Sequence, residues 1–508
     1  MTLSRRHFML AASAGLCMPW LAKPAAAAVP GRPLAIPPLA DASTGRADLE
    51  AIRATTGFMD GAATPTWGFS QSYLGPVLRF RRGTSAHVSV KNSLPFPITS
   101  HWHGLHVPAI IDGGPQLQIA PGATWTVELP IDQPAATLWY HSHVGGVTAE
   151  QVYGGLSGMI IVDDPDAGDQ GLPSDYGVDD IPLVIQDRAF GPDGELVYVK
   201  RGPALMHGFR ADTILVNGAV RPVAGVPAGL VRLRLVNGSN ARIYHLRFSD
   251  DRSFHQIASD GGLLPAPVPH TELTLAPAER AEVVVDFSDG APAILLSGPD
   301  TNAPMGGMMG GMMGGMLPGP PPVSDAGRGE EFEIMRFAPD RGKAGAVTAL
   351  PASFSAAPVP DFGDPVRTRD FVLNMHAGGG MGMGMGRGKG RGMGRGMGMG
   401  VMSINDGSFD PGRIDVQMKA GETELWRVYA DEMAHPFHVH GTSFRVLRHN
   451  GNAVPFESTG LKDIFLVNGQ AELLVRVKHE AREDVPFMYH CHILEHEDAG
   501  MMGQFTVA

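Results

Sequence analysis

From about Thr44 onward, apolar and polar residues alternate in short runs, and glycine, proline, asparagine and aspartate interrupt them every few residues. A period of two marks half-buried strands, and little of the chain carries the 3.6-residue period of an amphipathic helix. The pattern predicts an all-β fold, and it repeats three times. The first copy opens on Ala86–Asn92, passes His101-Trp102-His103-Gly104, continues through the strand Thr124–Leu129 and closes on Leu138–His143. The third opens on Glu424–Tyr429, passes His435-Pro436-Phe437-His438-Val439-His440 and closes on Pro486–His492. The middle copy runs from Val231–Asn237 through Ile243–Leu246 to Ile294–Gly298 and lacks the histidine pairs. Its His245 reads as a hydrogen-bonded structural residue. Three repeats of this size predict three β-sandwiches with Greek-key connections, over residues 44–165, 172–340 and 365–508. The boundaries fall where Pro, Gly, Asp and Ser cluster, near Asp163–Gly171 and Ala338–Asp364.

Composition agrees with this reading. Only 18% of the 508 residues are charged, while Gly (66) and Pro (42) are abundant, which favours strands and turns over long helices. The net charge of −12 argues against a nucleic-acid partner. Ahead of the repeats, residues 1–28 read as an export signal. Ser4-Arg5-Arg6-His7-Phe8-Met9 looks like a twin-arginine motif, the apolar run Phe8–Leu21 is too short to span a bilayer comfortably, and Ala25–Ala28 supplies a small-residue cleavage site. The expectation is a periplasmic protein, delivered by the twin-arginine machinery and without a stable membrane anchor. Cleavage removes Arg5, Arg6 and Lys23, taking the charge from −12 to −15, and it also removes Cys17. Cys491 is then left without a disulfide partner in an oxidising compartment, which invites a metal-ligand explanation.

The surroundings of Cys491 support that explanation. Cys491, His496 and Met501 follow a Cys-x4-His-x4-Met spacing, and a thiolate, two imidazoles and a weak thioether form the ligand set of a blue electron-transfer copper. Four His-x-His pairs accompany it: His101/His103, His141/His143, His438/His440 and His490/His492. On a strand, residues i and i+2 share a face, so each pair presents two imidazoles in one direction. Eight imidazoles exceed what one metal takes but suit a cluster of three, built where the first and third repeats meet. A structural zinc site needs only four ligands. Because His490 and His492 flank the cysteine, an electron reaching Cys491 has two short covalent routes onward.

These motifs resemble those of the multicopper oxidases. The resemblance implies three cupredoxin-like domains and four coppers per chain. It places the type 1 copper on His435, Cys491, His496 and Met501, and the type 2 copper on His101 and His440. The type 3 pair falls on His103, His141, His143, His438, His490 and His492. It also implies that Asp112 and Glu497 deliver the protons that reduction of O2 to water consumes.

Two methionine tracts bear on the substrate. Residues 305–316 read Met-Gly-Gly-Met-Met-Gly-Gly-Met-Met-Gly-Gly-Met, and 375–402 carries eight methionines among glycines with Arg387, Lys389, Arg391 and Arg395. Thioethers select Cu(I). The second tract lies where periplasmic copper-efflux oxidases carry a methionine-rich insertion, and Asp431 and Met433 match the acid and thioether that bind substrate copper there. Unlike the usual insertion, this one lacks admixed His and Asp. The expected activity is a monomeric oxidase coupling Cu(I) oxidation to O2 reduction, in periplasmic copper detoxification. The alternatives are a laccase-like oxidase of phenols or amines, and a non-catalytic copper-binding protein.

Overall fold

The computed structural model describes residues 31–43, 45–168, 170–300, 302, 330–354, 360–376 and 401–508. The export signal at 1–28, the tract at 305–316 and nearly all of the tract at 375–402 lie outside the described residues. The two ends of the second tract are ordered strand. Met375 closes Arg367–His376, Met402 belongs to Val401–Ile404, the two residues pair in register, and both are buried. The insertion is therefore shorter at each end than 375–402, because β pairing and burial claim its first and last methionines.

The chain is all-β, with only short helices among the described residues. Alternation along Thr84–Asn92 turns Ala86, Val88 and Val90 inward, and the strand pairs with Thr124–Ile131 and, in parallel, with Arg46–Thr56. The four-stranded sheet so formed packs against a second one of Leu39–Asp41, Val77–Arg81, Ser157–Asp163 and Ala136–His141, around Leu129, Leu138, Tyr140 and Ile160. Strand pairing thus begins at Leu39, ahead of the start expected at 44.

The middle unit packs an eight-stranded sheet on a five-stranded one. Its strand Phe332–Ala344 runs through the boundary expected at Ala338, because it pairs in parallel with Val223–Ala228 as far as Ala344. The third unit is one ten-stranded hydrogen-bonded network around Phe371, Trp426, Phe437 and Phe505.

The repeat is visible in the topology. Each unit contains one parallel pairing between the strand opening a repeat and an earlier strand: Arg46–Thr56 with Thr84–Asn92, Asp180–Phe190 with Leu230–Asn237, and Arg367–His376 with Thr423–Val439. Such pairs require crossover connections rather than hairpins, as Greek-key sandwiches do.

A further apolar cluster belongs to no single unit. Phe58, Val77 and Trp139 from the first, Val184, Leu215 and Val236 from the second, and Ile464 and Leu494 from the third pack together. Their joint burial holds the two outer units face to face. Leu215 is fully buried in this cluster, whereas Val366 is 63% exposed. Leu215→Ala should cost about 2–5 kcal/mol through lost burial and the cavity left behind, and Val366→Ala within about 0.5 kcal/mol. Thermal unfolding of the two variants checks the contrast.

Candidate metal centres

The histidine pairs lie where strands stop. His141 ends Ala136–His141, His490 lies in Phe487–Cys491 and His438 in Thr423–Val439, while His143, His492 and His440 follow just beyond. His101 makes only an isolated bridge to His141. The expectation that each pair occupies one regular strand is corrected in this respect. Ladders that end here free the ring nitrogens to turn toward one another. Gly104 follows His103 at a φ of +91°, and a Cβ there would lie 2.7 Å from the Asp463 carboxylate. Only glycine fits that approach.

All eight imidazoles converge in one dry cluster, none more than 1% exposed. His101 stacks on His440 at 3.9 Å between centroids, and His103 on His438 at 3.8 Å. His490 Nε2 lies 3.2 Å from His440 Nε2 and 3.3 Å from His143 Nε2, while His141 Nε2 lies 3.4 Å from His103 Nδ1. Burial pushes the pKa of most of these rings far below the usual value, and that of His490 to about 3. The rings are neutral, and their hydrogen bonds fix the tautomers. His440 Nδ1 donates to Asp112 Oδ2 at 2.8 Å, His490 Nδ1 to the Cys491 carbonyl at 3.0 Å and His438 Nδ1 to the Asp463 carbonyl at 2.7 Å. The opposite nitrogen of each ring then faces its neighbours as a lone pair. Lone pairs facing one another at about 3 Å repel unless a cation lies among them. The buried, unpartnered Nε2 atoms of His101 and His438, and both ring nitrogens of His492, call for the same occupant.

A second cluster lies around Cys491, which is fully buried and the one free cysteine among the described residues. His435 Nδ1 is 3.3 Å from Cys491 Sγ, His496 Nδ1 is 3.7 Å from it, and the two Nδ1 atoms are 3.3 Å apart. His496 Nε2 donates to the Met206 carbonyl at 3.1 Å, which leaves Nδ1 as the lone pair toward sulfur. His435 reaches this position through a bulge: pairing with Ile464–Arg476 shifts register between Ala430 and His435. Such bulges re-aim side chains at functional sites. Met501 is buried beside them, its amide donating to the His496 carbonyl and its carbonyl accepting from the Cys491 amide. Burial pushes the Cys491 thiol well up, so a metal must displace its proton. The donors fit copper: a thiol and two imidazoles in one cluster, with Met501 buried beside it, and imidazoles in the other.

Asp112 and Glu497 both lie at the histidine cluster. His101 Nδ1 donates to the Asp112 carbonyl at 3.0 Å and lies 3.2 Å from Asp112 Oδ2, so one residue holds both the His101 and His440 rings. Glu497 oxygens lie 3.4 Å from His143 Nδ1 and 3.3 Å from His490 Nδ1, and burial followed by the neighbouring Asp498 and Glu495 raises its pKa far above the carboxylate range. Glu497 is a proton-holding group in this setting. Met433 is half-buried against the third core, and the side chain of Asp431 lies outside the described residues.

Several residues at these centres carried no sequence signal as site residues. Asp463 touches His103 and His438. Met206 offers only a backbone carbonyl. Asn302 exchanges two hydrogen bonds with the backbone of Ala434, next to His435. Asn240 binds the buried Glu495 at 2.9 Å. All but Asp463 belong to the middle unit, and backbone contacts leave little trace in a sequence.

A multicopper oxidase signature matches residues 51–167 and another matches 389–508. The solved laccase-like multicopper oxidase CueO from Ochrobactrum sp. is 39% identical, covers 94% of this chain and 100% of its own, and superposes with a TM-score of 0.80. The chain belongs to the multicopper oxidase family, and its fold is cupredoxin-like. Among individual proteins, it is also similar to the cell division protein FtsP of Edwardsiella tarda, 37% identical over 100% of this chain and 99% of the relative. A metallo-oxidase from Campylobacter jejuni is 26% identical with a TM-score of 0.77, covering 94% of this chain and 95% of its own.

Carboxylates that orient ligating histidines typically contribute 10- to 100-fold to metal affinity. Asp112→Asn should weaken metal held by His101 and His440 by about that factor. Elemental analysis after dialysis against a graded chelator series measures it, with the Cys491 centre as internal control.

Proposed function

We propose that the chain is an exported copper oxidase that couples one-electron oxidation of a substrate, most favourably Cu(I), to reduction of O2 to water. The observation that carries this reading is the run His490-Cys491-His492. One thiol belongs to the small cluster, and the imidazoles on either side belong to the large one. In this reading His435, Cys491, His496 and Met501 hold a type 1 copper, and His101 and His440 a type 2 copper. His103, His141, His143, His438, His490 and His492 hold a type 3 pair. The bound coppers supply one-electron redox chemistry beside the thiolate and four-electron reduction of dioxygen at the histidines.

The protein's own groups do the rest. Glu497, kept protonated in its buried position, holds a proton beside His143 and His490. Asp112 fixes the His101 and His440 rings. The Met206 carbonyl occupies the outer nitrogen of His496, which leaves the bulge before His435 as the approach for a substrate. Asp431 and Met433, in that bulge, are the proposed ligands of substrate copper. The overall reaction is 4 Cu(I) + O2 + 4 H+ → 4 Cu(II) + 2 H2O. The methionine tracts favour Cu(I) over phenols, since thioethers are soft ligands. The twin-arginine-like start Ser4-Arg5-Arg6 supports delivery to the periplasm, where cuprous ion would be detoxified.

Full-length similarity to FtsP supports a second reading, in which the chain serves cell division and its oxidase chemistry is secondary. The retained donor set favours the first. The copper-loaded mature chain should consume oxygen on addition of Cu(I), and Cys491→Ser should abolish both the uptake and the blue absorption. No uptake by a fully loaded sample would overturn the oxidase reading and leave a binding or division role. Deleting 381–399 should lower Cu(I) oxidation while phenol oxidation holds or rises. The reverse would favour a laccase-like substrate. Glu497→Gln should slow oxygen consumption by about 100-fold or more, as expected for loss of a positioned acid, with the blue absorption retained.

A further inference from the structure

Among the described residues the middle sandwich contributes no metal-facing side chain, yet one of its arginines reaches the histidine cluster. Arg280, in Arg280–Asp286, is fully buried, as is Asp463 at the start of Ile464–Arg476 in the third unit. Arg280 Nη1 donates to Asp463 Oδ1 at 2.7 Å and Nη2 pairs with Oδ2, a two-pronged contact. The same Asp463 Oδ1 lies 3.1 Å from Nε2 of His103, a residue of the first unit, and the Asp463 carbonyl accepts from Nδ1 of His438.

These contacts decide which nitrogens face inward. His103 donates Nε2–H to the carboxylate, so its Nδ1 carries the lone pair and points at His141 Nε2. His438 donates Nδ1–H, so its Nε2 is left bare inside the cluster. A freely rotating Asp463 carboxylate would leave the His103 ring unfixed, while His438 stays on the backbone carbonyl. The carboxylate's orientation is set by Arg280, whose own position is set by the Thr137 carbonyl in the first unit and by Asp260. Lys462, the neighbour of Asp463, pairs with the far oxygen of Asp260 at 2.8 Å and closes the network.

We infer that Arg280 and Asp463 are positioning residues for the six-histidine metal pair, so that an arginine of the middle sandwich sets the tautomer of His103 in the first through a carboxylate of the third. The inference rests on the copper-binding part of the proposed function. It does not rest on turnover, because it is read in metal retention and spectra. An Arg-to-Lys change keeps the charge and loses the planar fork. An Asp-to-Asn change keeps the shape and the backbone carbonyl and loses the anion.

The test uses Arg280→Lys and Asp463→Asn in the full mature chain. Total copper, blue absorption and paramagnetic Cu(II) signal are followed against a graded chelator, and the melting temperature is taken without copper. The expected result is selective. Copper of the histidine pair should be held about 10- to 100-fold more weakly, with a new paramagnetic signal as the pair uncouples, while the blue absorption persists. Copper retention equal to wild type would overturn the inference. So would parallel loss from both centres, or a metal-free variant that no longer folds, since either makes the network purely structural. Wild type that binds its copper but consumes no oxygen would overturn the oxidase and leave this inference standing.

Discussion

Trp139, Val236 and Leu494 come from three different sandwiches and share one dry cluster. The contact they make sets the separation of the outer two units, and that separation decides whether imidazoles from His101 to His143 meet those from His438 to His492. A slip of even an ångström would open the cluster, because its ring nitrogens already stand 3.2 to 3.4 Å apart. Apolar burial gives the approach its energy, but it has no direction. Direction comes from buried polar contacts between units, such as Arg280 on Asp463 and Arg234 on Thr137.

Burial of the donors works in the opposite sense. Eight imidazoles and a protonated thiol, all out of water, form an arrangement that is poor in itself and good around cations. Most of the rings are held by one nitrogen, through a carboxylate or a carbonyl, while both nitrogens of His492 are without a partner. The polypeptide thus spends part of its stability on keeping lone pairs exposed to one another. The metal returns that energy on binding, which couples affinity to the fold.

Much of this was legible in the sequence. Period-two alternation gave the all-β class, and the threefold recurrence of the opening strand matched a topology in which the same parallel pairing appears three times. Local spacing singled out Cys491, His496, Met501 and the four His-x-His pairs, while His435 came only from the family resemblance. Two things were not legible. His-x-His suggests a continuous strand, but the ladders end at or within these pairs, since hydrogen bonding depends on partners distant in sequence. The supporting residues were also invisible: Asp463 reads as an ordinary charge at a strand entrance, Arg280 as a charge before an apolar strand, and Met206 acts through its backbone alone.

Asp498, beside Glu497, accepts hydrogen bonds from the Thr148 and Ala149 amides and pairs with Lys200. The helix that follows Val147 in the first sandwich is thus capped by a residue almost at the end of the chain. Neither that helix terminus nor the histidine cluster is complete until the third unit has docked on the first. The first sandwich has its own apolar core, but its histidines lack their counterparts until then. Metal capture by the histidines therefore waits on the docking of the units rather than on the folding of any one of them.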